Sequence, residues 1–269
     1  MIRFTQRETP MPASDTAPRA EGNWLLAALS DDTYRRIAAR CETVPATLHD
    51  VLYLRDAPID YVYFPQSGCL SFITVMADAL AVEVGTIGWE GMAGLPLLNG
   101  ITSAETTCIV QVEGTLKRIA TEAFLTELNE SEELSRLLHV YAQVWTNQMG
   151  RSGSCNAVHA LELRCARWLL QTHDRVDSDV LPLTHEFLAI MLGVRRPSVS
   201  IAAASLRKAG LIEYTRGKIT VLDRAGLEAA SCECYAAIHA SYTRQLPTPP
   251  ALYKRRAGSS PSKSEGADK

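Results

Sequence analysis

Apolar positions follow a helical period at the start of the chain, give way to short β-rich runs, and return to a helical period in the second half. From Asn23 to Cys41, Leu25, Leu26, Leu29 and Ile37 keep helical spacing, with Ser30-Asp31-Asp32 as a cap between two short helices. From Thr47 to Ile119 come the runs DVLYL, DYVYF, LSFITVM, LAVEVGTI, TTCIVQV and TLKRI. Turn signals divide them at Asp56-Ala57-Pro58, Pro65-Gln66-Ser67-Gly68, Ala77-Asp78 and Glu113-Gly114. Short strands at this spacing predict an antiparallel sandwich or barrel.

Helical periodicity resumes at Asn129, a capping residue followed by Glu130, Glu132 and Glu133, acids that suit the positive end of a helix dipole. Leu134, Leu138, Tyr141 and Trp145 then repeat at 4-3-4 spacing, flanked by Leu137 and Val144, as in a coiled-coil seam. A two-fold dimer along this helix is the preferred reading; a single helix laid on the β-domain is the alternative. Gly150 and Gly153 are expected to interrupt it. A second helix follows, with Val158, Leu161, Cys165, Trp168 and Leu169 on one face, and then a polar connector, Asp174-Arg175-Val176-Asp177-Ser178-Asp179. Residues 1–22 and 241–269, rich in Pro, Ser and charge, read as disordered.

The segment 183–204, LTHEFLAIMLGVRRPSVSIAAA, satisfies the constraints of two helices crossing through a tight turn. With His185 as the first position, Leu188 and Leu192 face the core, Ala189 is small at the crossing, and Gly193 occupies the turn, where positive φ is needed. Val194, Val199 and Ala202 fill the remaining buried positions. Thr184 is a natural N-cap and Pro197 is tolerated in the first turn of the second helix. That helix would present Arg195, Arg196, Ser198, Ser200 and Ile201 at its exposed N-terminal end, where a recognition helix meets base edges. Arginine can donate two hydrogen bonds to guanine, and Ser198 suits a phosphate or a base. After Gly210-Leu211-Ile212, residues 213–221 have the form of a hairpin with Arg216-Gly217-Lys218 at its tip, placed to meet phosphates. A helical hairpin packed for structural reasons alone, its arginines solvated, is the competing reading.

Composition supports a soluble globular protein: 269 residues, 46% hydrophobic and 21% charged, with no apolar run long enough to span a bilayer and no signal-peptide core at the start. A cytoplasmic location and no membrane partner are expected. The net charge of −3 argues against nucleic acid only while the chain is taken whole. Residues 182–224 carry a local +4 and 225–269 a further +2, leaving −9 on residues 1–181. A basic module is joined to an acidic one.

A β-rich domain, a long helix and a winged helix-turn-helix in this order resemble the Crp/Fnr family of bacterial transcription regulators, over roughly residues 23–240 and most specifically over 183–222. The resemblance implies an α+β chain: an N-terminal antiparallel β-roll of cyclic-nucleotide-binding type (23–128), a central dimerisation helix (129–152) and a C-terminal winged helix-turn-helix (153–240). It implies a homodimer on two-fold double-stranded DNA, with RNA polymerase as a further partner. Arg196 takes the place of the family's guanine-reading arginine, and Thr184 and Ser198 take phosphate-contacting places. With these, the DNA-facing set is Thr184, His185, Arg195, Arg196, Ser198, Ser200, Arg216 and Lys218. Pro197 and Ile201 depart from the best-known members, which have a glutamate and a second arginine there, so the DNA sequence read differs.

The family's cyclic-nucleotide binders use a Gly-Glu-x-Gly loop and a later Arg-Ser pair. Here Gly91-Met92-Ala93-Gly94 and Thr102-Ser103-Ala104 lack both charged partners. An anionic phosphate buried without its arginine is poorly compensated, so cyclic AMP is not the expected ligand, although Arg118 is a possible substitute. The expected pocket for a different effector comprises Gly88, Trp89, Glu90, Gly91, Met92, Gly94, Thr102 and Ser103; a ligand-free scaffold is the alternative.

Seven cysteines (Cys41, Cys69, Cys108, Cys155, Cys165, Cys232, Cys234) at irregular spacing suit neither a disulfide framework nor an N-terminal iron–sulfur cluster. The Cys232-x-Cys234 pair on an expected helix shares no face, so buried inert thiols are expected. His49, His139, His159, His173, His185 and His239 show no metal spacing, and no metal site is expected. With no nucleophile elbow, P-loop or dinucleotide fingerprint, an enzyme is not expected. The reading that remains is a DNA-binding transcription regulator; its rival is a small-molecule-binding or interaction module whose winged helix contacts no DNA.

Overall fold

The computed structural model describes residues 22–76 and 81–247. The Ala77-Asp78 turn and the segments 1–21 and 248–269 lie outside the described residues. Two short helices, α1 (Trp24–Ala27) and α2 (Asp31–Arg40), precede seven strands: β1 (Glu42–Ala46), β2 (Val51–Tyr53), β3 (Tyr61–Pro65), β4 (Cys69–Val75), β5 (Ala81–Ile87), β6 (Thr107–Val112) and β7 (Gly114–Ala120). They form two antiparallel sheets, ordered β1-β7-β3 and β2-β6-β4-β5, which make the expected roll. β1 extends the β-region upstream of Thr47; it lies at a sheet edge, where Pro45 removes no needed ladder donor.

After the roll come α3 (Thr121–Glu130), α4 (Glu132–Val158), α5 (Leu161–His173), β8 (Val180–Leu181), α6 (His185–Leu192), α7 (Arg196–Lys208), β9 (Ile212–Thr215), β10 (Lys218–Val221), α8 (Arg224–Ala229) and α9 (Cys234–Gln245). Strands β8, β10 and β9 form a small antiparallel sheet, the wing.

Four expectations change. The cap of α4 is Ser131, whose side chain accepts from the Leu134 amide, and not Asn129, which lies in the last turn of the separate helix α3. Gly150 and Gly153 do not interrupt α4, which runs on to Val158. Their intrinsic cost of about 1 kcal/mol each is offset where Gln148, Ser152 and Cys155 are buried on the same helix. Val158 is 74% exposed and belongs to the end of α4, not to the buried face of α5. Residues 241–247 are ordered: α9 continues to Gln245, and the Trp24 Nε1 donates to the Pro247 carbonyl at 3.0 Å.

The 4-3-4 seam of α4 faces the protein's own roll and not a second helix. Leu134, Leu138, Tyr141 and Trp145 are buried within the protomer and share one core with the roll, α1 and α9. Trp145 stacks obliquely on Phe72 at 5.1 Å, and its ring lies where a side chain on Gly85 would stand. These residues therefore hold α4 to the roll and are unavailable to a second helix. The exposed face of α4 is polar, with His139, Gln143, Asn147 and Arg151.

A second core joins α5, α6, α7, β9, β10 and α8, and it includes Val51, Ile73 and Ile109 from the outer face of the roll. The winged helix is thus docked on the four-stranded sheet. Met191 meets the Ser71 hydroxyl, Phe187 lies 5.5 Å from the His49 ring, and the Trp168 Nε1 donates to Glu83 Oε1 at 2.8 Å. Burial pushes the Glu83 carboxyl up to about 7, against hydrogen bonds from Ser71 and Trp168 that favour the carboxylate.

Candidate nucleic-acid interface

The α6–α7 pair bends by 105° at a three-residue break. Thr184 caps α6 by accepting from the Phe187 amide at 3.1 Å, and Gly193 turns the chain with φ 63°, a left-handed value that glycine adopts without strain. A Cβ there would also stand 3.3 Å from Val82 on β5, a tight contact, but the backbone conformation is what calls for glycine. Leu188, Ala189, Leu192, Val199 and Ala202 are buried between the helices as their spacing predicts, and Val194 is half-buried. Pro197 sits in the first turn of α7, where its missing N–H costs nothing.

This packing leaves the N-terminal end of α7 open. Arg195, the N-cap, and Arg196, the first helical residue, are exposed, as are Pro197 and Ile201; Ser198 is half-buried. The Arg196 Nε lies 3.9 Å from a Glu186 carboxylate oxygen, and both side chains are 67% exposed. Arg216 and Lys218 stand exposed at the tip of the β9–β10 hairpin, where Gly217 has φ 75°.

Besides Thr184, whose hydroxyl caps α6, two more of the expected DNA-facing residues are committed within the protein. His185 Nδ1 pairs with the Ser200 hydroxyl at 3.1 Å, and the His185 ring stacks on Tyr214 of β9 with centroids 4.0 Å apart. Ser200 also donates to the Arg196 carbonyl at 3.2 Å. Burial, and then the Arg196 charge, hold His185 below the ordinary imidazole range, so the ring is neutral at neutral pH. The His185–Ser200–Tyr214 contact joins α6, α7 and the wing, and so sets the arginine-bearing end of α7 relative to β9. Tyr214 had no signal in the sequence beyond its place in the hairpin.

The loop expected to hold an effector is filled by the protein's own groups. Trp89, Glu90 and Met92 are buried, and Gly91 lies against the Tyr141 hydroxyl. The Glu90 Oε1 accepts from both Nε and Nη2 of Arg175, at 2.8 and 2.6 Å, and from the Gly88 amide at 3.0 Å. Burial opposes the charge on Arg175, but Glu90 alongside outweighs it and raises the guanidinium above its ordinary range. Arg175 also reaches Thr86 Oγ1 at 2.8 Å and the Gln171 carbonyl at 2.9 Å. The connector after α5, read from sequence as a polar linker, is therefore plugged into the roll.

Gly94 packs beside Val62, while Thr102 and Ser103 pair with the Pro58–Ile59 segment and are exposed. A cavity of about 40 Å³ remains between Trp89, Arg175, Tyr235 and Tyr242, room for about three waters. Arg118 is bound to Glu42 at 2.5 Å and lies over the Tyr61 ring. Away from both regions, Cys155, His159, Cys232 and Cys234 converge, contrary to the expected absence of a metal constellation. Cys232 precedes α9 and Cys234 begins it, so the helical-face rule that separated them does not apply.

Residues 163–230 match the family model for a Crp-like helix-turn-helix domain. No curated protein sequence matches the chain. Among solved structures, a Crp/Fnr-family transcriptional regulator from Eubacterium rectale is similar at 19% identity and TM-score 0.61, covering 75% of this chain and 94% of that one. FixK2 from Bradyrhizobium japonicum is similar at 14% identity and TM-score 0.59, covering 71% and 98%. The c-di-GMP-responsive global regulator CLP from Xanthomonas campestris is similar at 16% identity and TM-score 0.56, covering 71% and 99%.

Proposed function

From the premise that this chain carries a Crp-like helix-turn-helix domain on the Crp/Fnr regulator fold, we propose that it is a sequence-specific regulator of transcription that binds double-stranded DNA. The observation that carries the reading is the exposed, arginine-bearing start of α7 beside a wing tipped by Arg216 and Lys218. In this reading α7 enters the major groove, Arg196 reads a guanine, Thr184 and Ser198 meet phosphates, and the wing grips the backbone. His185 and Ser200 position that end of α7 through their contact with Tyr214.

The regulator acts as a dimer through the polar outer face of α4, since the apolar face is spent on the roll. It works in the cytoplasm, contacts RNA polymerase and catalyses no reaction. Cyclic AMP is not its effector: the one acid in the loop is taken by Arg175, and Arg118 by Glu42. Any effector must bind elsewhere or displace these contacts.

Selection of bound fragments from a random duplex pool tests the proposal. It should enrich a two-fold sequence with half-sites about one helical turn apart. Enrichment should be unchanged by added cyclic AMP. A pool that stays random, or binding that does not weaken with salt, would favour an interaction module that contacts no DNA.

A further inference from the structure

The last turn of α4 and the start of α9 bring together a ligand set that the DNA-binding reading does not use. Cys155 comes from α4, His159 is its C-cap, Cys232 lies in the link after α8, and Cys234 opens α9. The Cys155 and Cys232 sulfurs are 3.5 Å apart, His159 Nδ1 is 3.5 Å from the Cys155 sulfur, and the Cys234 sulfur is 3.7 Å from the same nitrogen. All four donor atoms lie within 4.8 Å of one another. A tetrahedral zinc with Zn–S of about 2.3 Å and Zn–N of about 2.0 Å has edges of roughly 3.5–3.8 Å; the Cys155–Cys232, Cys155–His159 and Cys234–His159 separations match these, and the remaining ones, all within 4.8 Å, would close by at most about an ångström on binding. An iron–sulfur cluster would hold its ligands apart by its own width, so the spacing suits a single ion.

From this geometry we propose that Cys155, His159, Cys232 and Cys234 form a closed Cys3His site for one divalent zinc-type ion. Three thiolates and an imidazole are a soft donor set with no position left for water, which marks a structural site and not a catalytic one. The surroundings fit that role. The three thiols are buried, with Leu163 packed against them. The other ring nitrogen of His159, Nε2, lies 3.3 Å from a Glu233 carboxylate oxygen, the arrangement that fixes a ligating histidine with Nδ1 toward the metal. Three thiolates around a divalent ion leave one net negative charge, and Arg164 and Arg167 of α5 stand near enough to act on Cys155. Arg167 is buried with its Nε lacking a hydrogen-bond partner.

The ion would tie the end of α4 to the α8–α9 link, clamping the winged helix and the returning α9 to the long helix. Binding releases up to three thiol protons, so affinity weakens as the pH is lowered. The site does not depend on DNA being the partner.

The test uses the full chain purified in reductant. Metal analysis should find about one zinc per chain. After chelation, added Co²⁺ should develop the ligand-field bands of a tetrahedral ion together with thiolate charge-transfer absorption, saturating at one per chain and lost on adding Zn²⁺. Cys232→Ser with Cys234→Ser should abolish both bands, while Cys41→Ser, outside the cluster, should keep them. The wild-type titration decides the matter even if the double variant fails to fold. Absence of zinc together with Co²⁺ uptake lacking thiolate bands would overturn the proposal. So would bands that survive the double variant, or a metal-free protein joined by a Cys155–Cys232 disulfide.

Discussion

Two arginine–glutamate pairs, one bridging the connector and the roll and one within the helix-turn-helix, show how differently the molecule uses the same chemistry. Arg175 and Glu90 meet at 2.6 Å with side chains 6% and 7% exposed; Arg196 and Glu186 approach only to 3.9 Å with both 67% exposed. Breaking a buried pair leaves an uncompensated charge in a low-dielectric site, whereas an exposed pair is worth about 0–1 kcal/mol because water and salt replace it. Arg175 is therefore locked, a strut between the connector and the roll. Arg196 is only loosely held and available to a phosphate or a guanine. Exposure, and not residue type, separates the structural arginine from the one proposed to read DNA.

The largest effect expected from disturbing this contrast is on folding. Arg175→Met should lower unfolding free energy by about 3–5 kcal/mol in denaturant titrations, with partial recovery when Glu90→Gln is added. A loss under about 1 kcal/mol would mean that the pair is not a strut.

Glu83, under the winged helix, offers a pH test. Its carboxyl is raised to about 7, so between the ordinary carboxylate range and pH 7 the unfolded chain has already lost a proton that the folded protein keeps. Stability from this group falls as pH rises through that window and is level above it. His185 and His239, both held below their ordinary range by burial, contribute with the opposite sign, so the Glu83 effect is read as the difference between wild type and Glu83→Gln. Thermal melts should show the variant gaining relative to wild type from about pH 4.5 to 7, and an invariant difference would contradict the assignment.

Smaller effects are expected on the exposed side. Lys218→Ala should weaken binding to all duplexes and reduce the log–log salt slope by about 1. Glu186→Gln should change stability by less than about 1 kcal/mol and leave DNA affinity equal or slightly higher, since it removes a competitor for Arg196.

The helix-turn-helix was legible because its constraints are local: the spacing of Leu188, Leu192, Val199 and Ala202, with glycine at the turn, fixes two helices and their crossing. The seam of α4 was legible as a stripe but not as a partner, since apolar residues at 4-3-4 spacing look the same whether they face another chain or their own roll. The role of Arg175 depends on Glu90, 85 positions away, and the Cys155–Cys232 approach spans 77. Neither leaves a local pattern. Helix α3 has only Phe124 and Glu127 buried and no side-chain cap at its start, so it carries little apolar stripe to read, and the persistence of α4 through two glycines reflects tertiary burial that propensity does not contain.

The most direct measurement is a base-pair scan of the selected operator with wild type and Arg196→Ala. Loss of the guanidinium should cost about 1–3 kcal/mol and erase discrimination at one symmetric base-pair position, leaving the others intact. Unchanged affinity and discrimination at every position would contradict α7 as the reading helix.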